Sequence, residues 1–466
     1  MSFRARLPRP GVEIKGSSST AEVAVLGLAR SGRAVAELLL DEGYSVYASD
    51  ASATTDVIET AELLRAKGAA VDAGRHDLGR ISRAAIVVLS PGIPPGAPPV
   101  KAARDAGRVI VSEVEVALDF LRGAKIIAVT GTNGKTTTTA LIAHILRALG
   151  KDSIPAGNIG MPLSSLAQRK GKPEWIALEM SSFQLHDTPG IKPLVGVLTN
   201  LSPDHLDRYG SVKEYYADKA MLFANGDADS RWVVNADDPE SMAMTENVKG
   251  KRYLFSLQSP ADACYDTGSL ALKVLGRDLI SRTDLALIGS HNVANSLAAA
   301  LAVMVADASF AKPAARDAIA EALRTFHPLT HRLERVAEVN GVRWINDSKA
   351  TNVSSAKVAI EGMERPTVLL LGGRHKGESY APLADAIRKN VKRVIAYGEA
   401  APLIAGDLSG IVKVDTLGSD FEAVVAAAKA AARPGENILL SPACSSFDMF
   451  KNYEERGEAF RKLANG

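Results

Sequence analysis

The stretch with the clearest capacity for chemistry is Gly131-Thr-Asn-Gly134-Lys135-Thr136. Glycines let a backbone approach an anion without a Cβ clash, and the free N–H groups that open a helix point at it. Lys135 adds a cation, and Thr136 a hydroxyl able to reach Mg²⁺. A full Gly-x-x-x-x-Gly-Lys-Thr pattern would need glycine at 129, where Val129 stands, so this loop is a shorter form. The chemistry is nucleotide-phosphate binding, and the competing reading is a chance Gly-Lys-Thr between a strand and a helix.

Further candidates lie downstream. Glu179 ends the apolar run from Trp175 and is followed by Ser181, Ser182 and Gln184. An acid at a strand end beyond a phosphate loop can ligate Mg²⁺; a solvated strand end is the alternative. Asn200, Asp204, His205 and Asp207 crowd behind the run from Val195 to Leu201, where His205 could bind metal or move a proton. Asn292 and Asn295, three apart on one helical face, could read an adenine edge, or one could be a cap. Lys219 lies in a helical stretch, and from the residues alone it reads as solvated surface.

Elements must position these groups. Lys125 to Thr130 reads as a buried strand, and Leu141, Ile142, Ile145, Leu146 and Leu149 recur at helical spacing. Before them, a strand to Leu26, a turn from Gly27 to Gly32, a helix and a strand reaching Asp50 have the layout of a Rossmann half. Ala29 replaces the middle glycine of that fingerprint, which weakens the competing reading of a nicotinamide-dependent oxidoreductase. Ala84 to Leu89 gives another strand, ending at Ser90. Beyond Pro328 the pattern restarts with Arg332, a strand from Val342 to Asn346, and alternating strands and helices to the C-terminus, indicating a further α/β domain. The expected architecture is α/β in three domains. These are a Rossmann-like N-terminal domain over 1–122, a central P-loop-type ATPase domain with a mixed sheet over 123–328, and a Rossmann-like C-terminal α/β domain over 329–466.

Composition bounds the function classes. Lys and Arg total 55 against 53 Asp and Glu, a net charge of +2, so no field of one sign favours nucleic acid or a membrane surface. Two cysteines, Cys264 and Cys444, provide neither a disulfide framework nor a zinc set and fit a reducing cytoplasm. Residues 1–20 lack the apolar segment of a signal peptide and read as a short disordered tail. No apolar run reaches the length of a membrane span. A cytoplasmic enzyme is expected, acting as a monomer.

Five stretches in order carry a closer resemblance: Gly131 to Thr136, Glu179-Met-Ser-Ser-Phe-Gln-Leu185, Asp204-His-Leu-Asp-Arg-Tyr209, Trp344-Ile-Asn-Asp-Ser-Lys-Ala-Thr-Asn352 and Ser441-Pro-Ala-Cys-Ser-Ser-Phe-Asp448. The chain resembles the Mur ligases of bacterial cell-wall synthesis from Gly27 to its end. The resemblance implies ATP-dependent joining of D-glutamate to UDP-N-acetylmuramoyl-L-alanine through an acyl phosphate. It implies that Arg30, Ser31, Gly32, Asp50, Ser90, Asn158 and Ser181 hold the UDP sugar. ATP would meet Gly131, Asn133, Gly134, Lys135, Thr136, Thr137, Asn292, Asn295, Arg332, Asp347 and Lys349. Thr136, Glu179, His205 and Lys219 would surround two Mg²⁺ ions, Lys219 as a carbamate. Lys135, His205, Lys219 and Arg332 would carry the catalysis, and Thr351, Lys376, Ser446, Phe447 and Tyr453 would hold D-glutamate. Departures from the family pattern occur at Ala29, at His375, where many relatives have aspartate, and at Tyr453, where a relative has phenylalanine.

Overall fold

The computed structural model describes residues 22–205, 208–285, 287, 289–327 and 330–465. The expected N-terminal tail, Asp207 and the boundary at 328–329 lie outside the described residues. The chain divides into two compact units. One runs to Cys264 and includes Val274–Arg277 and Leu297–Ala322; the other comprises Tyr265–Lys273, Asp278–Ser296 and the chain from Leu323 onward.

Three sheets form the frame. The first contains β1 (Val23–Leu26), β2 (Val46–Asp50), β3 (Ala70–Ala73), β4 (Ile86–Leu89) and β5 (Val109–Ser112), in the order β3-β2-β1-β4-β5 with every pair parallel. Parallel strands are covered on both faces, which is why β1 and β4 are apolar at every position rather than alternating. Strand order reverses direction between β1 and β4, the place where an open α/β sheet leaves a crevice for ligand. The turn at Gly27 and the residue Ser90 follow those two strands. Helix Arg30–Asp41 starts so close to that turn that a Cβ on Gly32 would fall 1.7 Å from the Gly27 carbonyl oxygen. Only glycine fits there.

The second sheet contains β6 (Lys125–Thr130), β7 (Ser153–Gly157), β8 (Trp175–Glu179), β9 (Val195–Leu198), β10 (Arg231–Asn235), β11 (Lys251–Ser256), β12 (Ala263–Asp266), β13 (Ala271–Val274) and β14 (Arg277–Ser281), in the order β14-β13-β12-β11-β10-β9-β6-β8-β7. The phosphate-loop strand β6 is central, between β8 and β9. Glu179, the Gly131 loop and Thr199-Asn200 therefore emerge side by side. The run expected to continue to Leu201 stops as a strand at Leu198, because Thr199 and Asn200 turn to serve that loop.

Within the first unit, one apolar cluster includes Val35, Leu38 and Leu39 of helix Arg30–Asp41, Val114 and Val116 of helix Glu113–Phe120, and Leu163 and Leu178 beyond them. Helix Glu113–Phe120 is capped by Ser112, whose Oγ accepts from Glu115 N at 3.1 Å. The two acids of its first turn are buried and accept from backbone. Glu113 accepts from Ser164 N, and Glu115 from Gly190 N at 2.8 Å.

The third sheet lies in the second unit: β15 (Glu334–Val339), β16 (Val342–Asn346), β17 (Thr367–Gly372), β18 (Val391–Tyr397), β19 (Val414–Thr416) and β20 (Asn437–Leu440), ordered β15-β16-β20-β17-β18-β19. β15, not foreseen from the sequence, pairs antiparallel with β16; the other pairs are parallel. Since β20 lies between β16 and β17, the loops after these three strands converge. Among the described residues no helix is long and apolar enough to cross a membrane.

Burial pushes the Glu113 carboxyl up from its ordinary value to about 7, against the opposing effect of the Ser164 N–H. A folded-state value above the unfolded one gives a stabilising contribution that is complete below about 4.5 and lost as pH rises through 7. Glu113→Gln is therefore expected to remove a fall of about 3 kcal/mol in unfolding free energy between pH 5 and 8. Urea titrations of both proteins across that range check it.

Candidate active site

The phosphate loop is shaped by the end of β9. Thr132 N donates to Asn200 O at 2.8 Å and Asn133 N to Asn200 Oδ1 at 3.0 Å. Thr199 Oγ1 and Asn200 Nδ2 donate to Asn133 O at 2.6 and 3.1 Å. Gly131 has φ +142°, and a Cβ there would meet Thr199 Oγ1 at 2.0 Å. Gly134, at φ +83°, is the left-handed N-cap of helix Lys135–Ala148. The N-terminus of a long helix thus follows a turn that only glycine can make, the arrangement of an anion cradle.

Lys219 is the main correction to the residue-level reading. Its helix, Val212–Ala220, was expected to carry it on a solvated face; instead it is 1% exposed and its Nζ donates to Gly131 O at 2.7 Å. Lys135 Nζ donates to the same carbonyl at 2.9 Å and to Thr132 O at 2.7 Å. Burial, and then the charge of Lys135, hold the Lys219 amine well below the ordinary lysine range.

Glu179 is 1% exposed, not the solvated strand end that was the alternative. Its Oε1 accepts from Asn158 Nδ2 at 2.8 Å, while Oε2 is buried with no hydrogen-bond partner. A buried carboxylate oxygen without a donor is costly unless a cation meets it. Together with the Thr136 hydroxyl, it fits a hard, oxygen-seeking ion such as Mg²⁺, which takes one or two protein ligands and completes its shell with phosphate and water. Among the described residues no three His, Cys, Asp or Glu converge as a metal cluster. His205 adopts φ +55° and packs edge-on to Phe183 and Tyr215, at 5.2 and 6.1 Å between ring centres. Ser181 caps helix Ser182–His186 through a reciprocal pair with Gln184.

At the first sheet, Asp50 braces the glycine turn: its Oδ2 accepts from Leu28 N and its Oδ1 from Ser52 N, both at 2.8 Å. Ser90 Oγ donates to Gly27 O at 3.3 Å, and exposed Arg30 donates to Gly160 O. Ser31 and Gly32 open the helix after that turn.

In the second unit, Asn295 Nδ2 donates to Asn292 Oδ1 at 3.0 Å, so the two amides hold one another near the start of helix Ser290–Ala306. Asp347 accepts from Leu333 N at 3.2 Å and from Ser441 Oγ at 2.9 Å. Burial pushes its carboxyl up to about 7, offset in part by Ser441 and by the charge of Arg332. Lys349 Nζ donates to Tyr453 OH at 2.7 Å. Ser446 is buried, whereas Lys376 and Phe447 are exposed and Thr351 half-buried.

Comparison with known proteins agrees with this geometry. Residues 129–303 match the family model of the Mur ligase middle domain, 331–444 that of the Mur ligase glutamate ligase domain, and 21–112 that of the MurD-like N-terminal domain. The chain belongs to the Mur ligase family. Among its relatives, the UDP-N-acetylmuramoylalanine–D-glutamate ligase of Desulfatibacillum aliphaticivorans is 39% identical, covering 97% of this chain and 99% of the relative. That of Salinibacter ruber is 40% identical over 94% and 96%. The fold is shared with MurF of Acinetobacter baumannii (TM-score 0.62, 16% identity, 91% of each chain) and with the UDP-N-acetylmuramate–alanine ligase MurC of Thermotoga maritima (0.60, 20%, 96% of this chain and all of the other). Mur ligases are ATP-dependent ligases.

Sequence reasoning missed three groups. Thr199 shapes the phosphate loop from 66 residues away, a distance no local pattern reports. Tyr215 packs beside Lys219, whose Nζ lies 4.5 Å from its ring centre. Arg456, on helix Tyr453–Asn465, is fully buried and donates to Ser348 Oγ (3.0 Å), Ser348 O (2.9 Å), Cys444 O (3.1 Å), Ser445 O (3.4 Å) and Gly372 O (3.5 Å). One rigid fork thus ties together the loops after β16, β17 and β20. Arg456→Met keeps the bulk but leaves buried carbonyls without donors, and is expected to lower unfolding free energy by about 3 kcal/mol. The shift in guanidinium midpoint measures it.

Proposed function

We propose that this Mur ligase joins D-glutamate to UDP-N-acetylmuramoyl-L-alanine, in the cytoplasm, at the expense of ATP. The observation that carries the reading is the buried Lys219 amine beside Gly131, with the unpartnered Glu179 oxygen among the charges around it. The choice of D-glutamate is supported by relatives that carry that activity in their names across nearly the whole chain. We further propose three working modules, bounded near 122 and 328, for sugar nucleotide, ATP and amino acid.

In this reading the alanyl carboxylate attacks the γ-phosphate, releasing ADP and forming an acyl phosphate, and the neutral amine of D-glutamate then displaces phosphate to form the amide. Bringing two anions together requires positive charge where negative charge develops, supplied by Lys135, Arg332 and the N–H groups behind Gly134. Bound magnesium would screen the phosphates, held by Thr136, Glu179, His205 and Lys219. For Lys219 that role requires a carbamate: its unprotonated Nζ adds to CO₂, one N–H proton leaves, and the neutral amine becomes a carboxylate. The depressed basicity of this amine and its burial support that step. His205 is also suited to accept the proton that the attacking amine loses. The Gly27 turn, Asp50 and Ser90 would take the uridine diphosphate, with Asn158 and Ser181 on the sugar side. Asn292, Asn295, Asp347 and Lys349 would hold the nucleoside, and Thr351, Lys376, Ser446, Phe447 and Tyr453 the amino acid.

Phosphate release with ATP, Mg²⁺ and UDP-N-acetylmuramoyl-L-alanine should depend on D-glutamate and not on L-glutamate, L-alanine or diaminopimelate. Absence of a D-glutamate-dependent product sinks the assignment. Lys219→Ala is expected to lose at least about 100-fold in kcat, and mass analysis of the intact chain should find the added CO₂ only when Lys219 is present.

A further inference from the structure

The loop after β17 carries Arg374, His375 and Lys376, and the structure sorts the three. Arg374 is turned to Glu399, with Nε and Nη2 donating to its two oxygens at 3.1 Å each. The loop is pressed onto the one after β20: Arg374 N donates to Ser445 O at 2.9 Å, and a Cβ on Gly373 would meet that same oxygen at 2.2 Å. Lys376 is exposed and makes no hydrogen bond among the described residues, and its charge lowers the Cys444 pKa slightly.

His375 is held from behind. Its Nδ1 lies 3.1 Å from Tyr380 OH, and Tyr380 OH lies 3.0 Å from Cys444 Sγ. Tyr380 is 1% exposed and Cys444 fully buried, whereas His375 is half-exposed, so the chain of contacts leads from the core to the surface. Burial raises the pKa of both Tyr380 and Cys444, the thiol to about 11, so both stay protonated at neutral pH. Two protons must then be shared along the chain. A thiol sulfur is a poor acceptor and an imidazole nitrogen a good one. The favoured arrangement has Cys444 S–H donating to the Tyr380 oxygen and Tyr380 O–H donating to His375 Nδ1. That fixes the tautomer, with the proton on Nε2.

We propose that His375 is a specificity residue: its Nε2–H, oriented through Tyr380 and Cys444, joins Lys376 in binding the side-chain carboxylate of the incoming amino acid. Tyr380 and Cys444 are positioning residues and touch no substrate. This rests on the D-glutamate assignment above and names a recognition group within it. A ring N–H donor beside the Lys376 cation gives the carboxylate a directional bond as well as a charge.

The test is steady-state kinetics with all three substrates varied. His375→Ala should raise KM for D-glutamate about tenfold while KM for ATP and for the sugar nucleotide, and kcat, stay within about twofold. Tyr380→Phe, which removes one oxygen, should raise the same KM about fivefold. Because Tyr380 acts only through His375, the double variant should be no worse than His375→Ala. His375→Gln, which brings its own amide N–H, should recover most of the affinity and be insensitive to Tyr380→Phe. An unchanged KM for D-glutamate in His375→Ala overturns the inference alone. So do effects that multiply in the double variant, or a parallel rise in all three KM values, which mark damage to the fold. Absence of D-glutamate turnover in the unsubstituted chain overturns the functional assignment and this inference with it.

Discussion

The first unit's site depends on one unfavourable act, the burial of an amine. Lys219 and Lys135 both donate to the carbonyl of Gly131. Two cations cannot share one acceptor in a dry setting without loss, and burial, then the charge of Lys135, hold the Lys219 amine well below the ordinary lysine range. That single constraint sets the two lysines apart: Lys135 stays half-buried at the loop, while Lys219 is 1% exposed. The rest of the local structure serves to hold the loop in place: Thr199 and Asn200 grip Asn133, and a glycine with φ +142° lets the carbonyl face inward.

The second unit solves a related problem with the opposite charge arrangement. Asp347 is buried, with Leu333 N and Ser441 Oγ donating to it, and its carboxyl is raised to about 7. Arg456 is buried without a hydrogen-bonded anion, its donors taken instead by carbonyls and one hydroxyl of three loops. Buried charge of this kind is a poor source of stability but a strict source of geometry, since each donor accepts only one arrangement of its partners. The loops that carry Lys349, Lys376 and Ser446 are fixed relative to one another through this fork and through the contact of Gly373 with Ser445. His375, backed by Tyr380 and Cys444, follows the same logic at smaller scale: a polar group at the surface is aimed by polar groups in the core.

The sequence by itself determined the α/β class, the strand-loop-helix at Gly131, the Rossmann-like start and the restart beyond Pro328. These follow from apolar runs, helical spacing and glycine placement, all of which act within a few residues of chain. The five motifs in order also carried the family resemblance. Tertiary structure alone decided what the side chains meet. Lys219 reads as a solvated helical lysine because its neighbours in sequence are polar; that it ends under the Gly131 carbonyl depends on how helix Val212–Ala220 docks. Thr199 and Arg456 were silent for the same reason, since their partners lie 66 and up to 108 residues away. The strand β15 escaped notice because half-exposed residues along an edge leave a weak pattern. Local periodicity reports which face is buried, but the identity of the group waiting across the gap is a property of the packed chain, and the protonation of Lys219 and Asp347 is set by that group and by the loss of water around it.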